Sequence, residues 1–264
     1  MSTREVFIHA NGDLLAAAVA ARLITSTADT LAADGRAHLV LTGGGIGTKV
    51  LAAVAASPAR DTVDWRTVDF WWGDERYAPE GDPDRNETGA REALFDHISV
   101  DPTLIHAIEG PDGRDGDDVD ASAARYATEL AISASSMPNA PSGVAVPPFD
   151  VLMLGIGPEG HVASLFPGLP ALYENERTVV AVRGAPKPPP TRLTLTMPAI
   201  QAARDVWVIA SGPDKAPAVR LALSGAGPVQ VPAAGARGRQ QTLFLIDRAA
   251  AAQVPAQLGR IASP

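Results

Sequence analysis

Leu39-Val40-Leu41-Thr42-Gly43-Gly44-Gly45 is a short apolar run that ends in three glycines. The run predicts a buried strand, and the residues that follow, to position 56, predict a helix. Glycines between a strand and a helix let backbone N–H groups approach an anion at the positive end of the helix dipole. A tight turn that needs positive φ is the alternative. Three glycines in succession favour an anion site formed by Gly43, Gly44 and Gly45.

The same alternation of apolar runs and helical patterns extends along the chain. Predicted strands cover residues 6–8, 39–41, 68–72, 151–154, 179–182, 193–195, 206–209 and 243–246. Predicted helices begin at the capping residue Asn11 and lie near residues 50–56, 87–95, 119–132, 199 and 214–223. Residues 133–148 and 183–190 are predicted loops.

Strand–helix alternation predicts an α/β fold with a mostly parallel, doubly wound, Rossmann-like sheet and helices on both faces. In such a sheet, ligands bind beyond the carboxyl ends of the strands. We expect one α/β domain over residues 1–264, with room for a small subdomain formed by loops.

Composition argues against several classes of protein. The 264 residues contain no cysteine, which excludes thiolate catalysis and cysteine-ligated zinc, and the five histidines form no pair at metal-ligand spacing. A net charge of −8 without a basic run argues against a nucleic-acid partner. No uninterrupted apolar run reaches the roughly 18 residues of a membrane span, and the amino terminus lacks a leader pattern. We expect a cytoplasmic protein with no metal or cofactor and no membrane partner, either a monomer or a small homo-oligomer.

A second candidate site follows the predicted strand at residues 68–72. It reads Trp72-Gly73-Asp74-Glu75-Arg76-Tyr77. Three adjacent charges at the carboxyl end of a strand suit a binding site better than a core, with a solvated loop as the alternative. The guanidinium of Arg76 has the fork geometry that binds phosphate in a bidentate manner.

A third candidate is Gly155-Ile156-Gly157-Pro158-Glu159-Gly160-His161. Its Gly-x-Gly-x-x-Gly spacing also occurs in dinucleotide sites, but Pro167 would shorten the following helix, and the acidic residues about 20 positions on precede the next strand. No nicotinamide or flavin is therefore expected. The glycines leave His161 accessible, and imidazole is the natural general base at neutral pH. Glu159 is close enough in sequence to orient it.

The other histidines are interpreted as structural or solvated; they are His9, His38, His97 and His106. Two further basic residues stand at predicted strand and helix starts. Arg192 follows a proline-rich loop, and Lys215 lies in the first turn of a helix, where a cation opposes the dipole. A bound anion explains Lys215 better than local stability does, with an exposed lysine of no consequence as the alternative. The chain has only two other lysines, Lys49 and Lys187.

Taken in order, these segments resemble the 6-phosphogluconolactonase family of the glucosamine-6-phosphate isomerase/deaminase superfamily. The similarity runs from Thr42 to Lys215. It is carried by residues 42–45, 72–76, Asn86, 155–168, 192–194 and Gly212 with Lys215. Glu159 stands where the family often has aspartate, and Gly45 where the glycine turn often ends in serine.

The resemblance implies hydrolysis of 6-phospho-D-glucono-1,5-lactone to 6-phosphogluconate in the oxidative pentose phosphate pathway, without a cofactor. It implies that His161, with Glu159 beside it, activates water. The implied contacts to the phosphorylated sugar lactone are Gly43, Gly44, Gly45, Asp74, Arg76, Arg192 and Lys215.

Two alternatives stay open. The deaminase branch of the superfamily resembles Gly-His followed by Ala-Phe-Asn-Glu-Pro, with a glutamate five residues after the histidine; this chain has Phe166 at that position. A non-catalytic sugar-phosphate-binding protein would keep the same pocket residues without turnover.

Overall fold

The computed structural model describes residues 3–263. Within them lie ten strands and six α-helices. The strands are β1 (Thr3–His9), β2 (Ala37–Leu41), β3 (Val68–Trp72), β4 (Asp74–Arg76), β5 (Val151–Gly155), β6 (Val179–Val182), β7 (Arg192–Leu195), β8 (Asp205–Ala210), β9 (Gln241–Asp247) and β10 (Gly259–Ile261). The helices are α1 (Gly12–Asp34), α2 (Gly44–Ala56), α3 (Asn86–Ala93), α4 (Val119–Ser135), α5 (Met197–Gln201) and α6 (Ala216–Leu223).

Seven strands form one sheet in the order β10-β1-β9-β8-β5-β2-β3. Every pairing in this sheet is parallel. β2 and β3 are buried along their whole length, as strands of a parallel sheet covered by helices are. The predicted α/β fold with a mostly parallel sheet is confirmed.

A second, antiparallel sheet of three strands has the order β4-β7-β6. The sequence predicted β6 and β7 but no strand at residues 74–76. Those residues instead pair with β7, Arg76 opposite Arg192 and Asp74 opposite Thr194. The short strand β10 also escaped prediction, because its exposed residues carry no apolar pattern.

Helix α1 begins at the predicted cap. The side chain of Asn11 accepts hydrogen bonds from the backbone N–H groups of Asp13 and Leu14 at 3.1 and 3.0 Å. By length and composition alone α1 is apolar enough to cross a membrane, although polar residues interrupt its apolar runs. Its apolar positions Leu15, Val19, Leu23 and Ile24 are buried, Leu14 is exposed, and the helix packs against α2 and β9. α1 therefore has the packing of a core helix.

An ionic network centred on the buried carboxylate of Asp69 lies near the amino ends of β2 and β3. Asp69 accepts hydrogen bonds from Arg36 and from Nε2 of His106, the latter at 2.9 Å. The other ring nitrogen of His106 lies 2.6 Å from a carboxylate oxygen of Glu129. Burial alone would lower the pKa of His106, but the hydrogen bonds to the two carboxylates outweigh it and raise that pKa. Both ring nitrogens face carboxylate oxygens, an arrangement that favours the imidazolium form.

This network predicts a pH-dependent contribution to stability. The folded-state pKa of His106 lies above its ordinary value of 6.5, so the stabilisation is complete below that value and is lost as the pH rises through the folded pKa. We expect His106→Asn to lower the free energy of unfolding by about 2 kcal/mol at about pH 6, and by less at about pH 9. Urea denaturation followed by circular dichroism at both pH values measures the difference.

The matched control is His97→Asn, since His97 is exposed and bonds only to the backbone carbonyl of Glu92. Its effect on stability is expected to be small at either pH. A His106→Asn penalty that grows with pH would contradict the assignment of an imidazolium.

Candidate active site

A cavity of about 660 Å³ opens at the carboxyl ends of β2, β5 and β8. Eight of the nine predicted site residues line it: Gly43, Gly44, Gly45, Asp74, Arg76, His161, Arg192 and Lys215. The ninth, Glu159, contacts His161 and is not among the lining residues. Segments as far apart in sequence as Gly43 and Lys215 thus meet at one edge of the sheet, where the topology of a parallel sheet places ligand sites.

The glycine turn joins β2 to α2. Gly43 is the N-cap of α2 and supplies no side-chain cap, so the first N–H groups of the helix have no side-chain partner there. Gly44 has φ of 75°, in the left-handed region that favours glycine. A Cβ atom at Gly43 would overlap the side chain of Asn86. The turn therefore presents bare backbone donors and a positive helix end to the cavity.

The three charged residues of β4 have different environments. Asp74 accepts a hydrogen bond from the hydroxyl of Ser164 at 2.6 Å, and Arg76 donates from Nη1 to Oδ1 of Asn86. Both line the cavity. Glu75 is instead 1% exposed. The sequence grouped it with its neighbours, but its side chain turns into the protein.

Glu75 caps the amino terminus of α3, although it lies outside the helix in sequence. Its carboxylate accepts hydrogen bonds from the backbone N–H groups of Asn86 and Glu87 at 2.7 and 2.9 Å. Burial raises the pKa of Glu75 to about 7, against the opposing effect of these bonds. The bonds fix Asn86, which in turn holds Arg76 beside the glycine turn.

His161 stands on the turn after β5. No helix follows that strand directly, so the Gly-x-Gly-x-x-Gly segment does not form the strand–turn–helix of a dinucleotide site. The imidazole packs against Phe166 with ring centroids 4.3 Å apart. Its Nδ1 lies 3.0 Å from Oε1 of Glu159, so the longer side chain of glutamate does reach the ring. Burial lowers the pKa of His161, against the raising effect of Glu159.

Arg192 is buried beneath the proline-rich loop 183–190. Its guanidinium donates to the backbone carbonyl oxygens of Lys187, Pro188 and Pro189 at 3.1, 3.2 and 3.1 Å. Two of its three nitrogens, Nε and Nη2, are thereby occupied. The residue shapes the loop as well as the cavity wall.

Sequence reasoning did not select two cavity residues, Lys49 and Lys187. Together with Lys215 they are all the lysines of the chain, and all three line the cavity. The low number of lysines was the one signal in the sequence that could have drawn attention to them. It became useful only once the loops were placed in space.

The fold is that of an α/β enzyme with a ligand site at the carboxyl edge of a parallel sheet. Residues 10–245 match the family described as glucosamine-6-phosphate isomerases/6-phosphogluconolactonase. The 6-phosphogluconolactonase of Streptomyces coelicolor is 56% identical over 256 residues, which cover 97% of each chain. That of Mycobacterium tuberculosis is 49% identical over 248 residues, 94% of this chain and 97% of the other.

The solved structure of 6-phosphogluconolactonase from Trypanosoma brucei matches with a TM-score of 0.79 and 28% identity. The match covers 97% of this chain and 100% of that one. The chain belongs to the glucosamine-6-phosphate isomerase/6-phosphogluconolactonase family.

The turn that carries His161 depends on Gly157. A Cβ atom at that position would overlap the imidazole ring and lie 2.7 Å from a carboxylate oxygen of Glu159. We expect Gly157→Ala to displace the ring from its buried position, and the pKa of His161 to rise toward its ordinary value because burial is the main cause of its depression. NMR titration of the imidazole resonances measures this pKa.

Gly227→Ala is the control, because a Cβ atom there meets nothing within 4 Å. It is expected to leave the His161 titration unchanged. An unaltered titration in Gly157→Ala would show that the close approach of Gly157 does not hold the ring.

Proposed function

We propose that this protein hydrolyses 6-phospho-D-glucono-1,5-lactone to 6-phospho-D-gluconate. The observation that carries the proposal is the cavity at the edge of the sheet, which is lined both by the amino-terminal turn of α2 and by the partly buried imidazole of His161. The high identity to named 6-phosphogluconolactonases supports the same substrate. A phosphorylated sugar lactone has an anionic tail and an electrophilic carbonyl, which match these two parts of the site.

The phosphate group is placed at the glycine turn. Backbone N–H groups of Gly43, Gly44 and Gly45 donate to it at the positive end of α2, and Arg76 and Lys215 add positive charge. Arg192 is a further anion contact through its remaining nitrogen. Asp74 lies beside Arg76 and completes the polar wall of the cavity.

The reaction needs one base and no redox change. Neutral His161 accepts a proton from water through Nε2, while Glu159 stabilises the imidazolium from the Nδ1 side. The water oxygen bonds to C1 of the lactone, and a tetrahedral oxyanion forms. The bond from C1 to the ring oxygen then breaks, and the imidazolium returns its proton to that oxygen. The product is the open-chain acid, which ionises.

Water and side chains supply every group in this scheme, so the proposal includes no metal or cofactor. A cytoplasmic location, a monomer or small homo-oligomer, and the absence of nucleic-acid and membrane partners belong to the same proposal.

The deaminase branch of the family is the nearest alternative. Its glutamate five residues after the histidine is replaced here by Phe166, which is 1% exposed and packs on the His161 ring. An apolar ring cannot transfer protons during opening of an aminosugar. This observation favours the lactonase over the deaminase.

A lactonase assay of the purified protein with freshly generated lactone tests the proposal. Acid release faster than spontaneous opening is expected, with no ammonia released from glucosamine 6-phosphate. Ammonia release without lactone hydrolysis would identify a deaminase. Binding of 6-phosphogluconate without acceleration of hydrolysis would identify a sugar-phosphate-binding protein.

Replacement of the base gives a direct prediction. His161→Asn is expected to lower kcat by roughly 10²- to 10⁴-fold, the usual contribution of general base catalysis, with little change in KM because the phosphate contacts remain. Initial rates corrected for spontaneous hydrolysis measure the effect. Turnover equal to that of the wild type would remove His161 from the mechanism.

The pH dependence follows from the environment of the same residue. Only neutral imidazole acts as a base, and burial lowers the pKa of His161 below its ordinary value of 6.5. The acid limb of the profile of kcat/KM against pH is therefore expected to have its midpoint below 6.5. A midpoint above that value would contradict the buried environment of the ring.

A further inference from the structure

The three lysines of the cavity differ in their acidic neighbours. Lys49 pairs with Asp13 at 2.5 Å and Lys215 with Asp214 at 2.8 Å, and both of these carboxylates are largely exposed. Lys187 instead lies 3.6 Å from Oε2 of Glu159. The second oxygen of that carboxylate contacts His161. Lys187 is thus the lysine at the imidazole end of the cavity.

Hydrogen bonds from the buried Arg192 fix the backbone position of Lys187. Arg192, 4% exposed, donates to the carbonyl oxygen of Lys187 itself and to those of the two prolines that follow. Prolines restrict the backbone of the same loop. The backbone of Lys187 is therefore held in place, while its side chain, 45% exposed, can still move toward a ligand.

We propose that Lys187 is a catalytic residue whose ammonium group stabilises the negative charge that develops on the C1 oxygen of the lactone. The inference rests on the proposed function and adds an electrostatic role at the reacting end of the substrate. A tetrahedral intermediate beside His161 places its oxyanion in the part of the cavity that Lys187 lines. The ammonium is a compact charge on a flexible stem, which suits a charge that forms on one oxygen.

Lys187 also acts on the base. The charged groups that face His161 are Glu159 on its own turn, Lys187 on the proline-rich loop and Asp74 on β4. Lys187 is the cation among them and opposes the two carboxylates. Its charge helps to keep the imidazole neutral, since it lowers the pKa of His161. Loss of this charge therefore moves the acid limb of the pH profile upward.

The test compares Lys187→Met and Lys187→Arg with the wild-type protein on two substrates, the 6-phosphorylated lactone and unphosphorylated glucono-1,5-lactone. A cation at the C1 oxygen serves both substrates alike. We expect Lys187→Met to lower kcat/KM by about 10- to 100-fold on each, less than for a fully buried oxyanion donor because the side chain is partly exposed. The KM for the phosphorylated lactone should change little. Lys187→Arg should recover part of the rate.

The matched control is Arg183→Met. Arg183 lies in the same loop and pairs with Asp120 at 2.7 Å, away from the cavity. The Arg183→Met substitution removes one positive charge and should leave the rates on both lactones unchanged. Circular dichroism of each variant checks that the fold is kept.

A loss confined to the phosphorylated lactone would overturn the proposal, because it would make Lys187 a phosphate contact. Rates and an acid limb equal to those of the wild type would overturn it as well. These results differ from failure of the proposed function, in which the wild-type protein itself does not accelerate lactone hydrolysis.

Discussion

The parallel pairing of β2, β5 and β8 is the constraint on which the site depends. Backbone hydrogen bonds place the three strands side by side with their carboxyl ends at one edge. Three loops leave that edge, and they carry the glycine turn, His161 and Lys215. Because each loop begins where its strand ends, a shift in register between two of the strands would displace their loops relative to each other.

The small antiparallel sheet completes the cavity. β4 and β7 pair so that Arg76 lies opposite Arg192, which concentrates positive charge along one wall. The two guanidinium groups need hydrogen-bond acceptors, and neutral oxygen atoms supply them. Asn86 accepts from Arg76, and the carbonyl oxygens of the proline-rich loop accept from Arg192. The second sheet thus holds Arg76 and Arg192 in place through neutral acceptors, so both residues keep their positive charge beside the cavity.

The two ends of the large sheet use buried charge in different ways. At the amino end, Asp69, Arg36 and His106 satisfy one another and form a closed structural network. At the carboxyl end, Glu159 lies beside His161 and Lys187 beside Glu159, and burial lowers the pKa of the imidazole. A closed network contributes to stability, whereas unsatisfied donors and a neutral base are available to a ligand.

The sequence by itself determined the parallel α/β fold, the cap at Asn11 and the glycine turn, because periodicity, capping and turn chemistry are local properties. It also singled out His161 and Arg76, whose neighbours in the chain are themselves informative. Only the tertiary structure shows that the side chain of Glu75 is buried and that the charged residues 74–76 form strand β4. It also shows that Lys187 lies beside Glu159. Pairing between distant strands and the contacts of Arg192 decide these positions, and no local pattern encodes a contact between segments almost 30 residues apart.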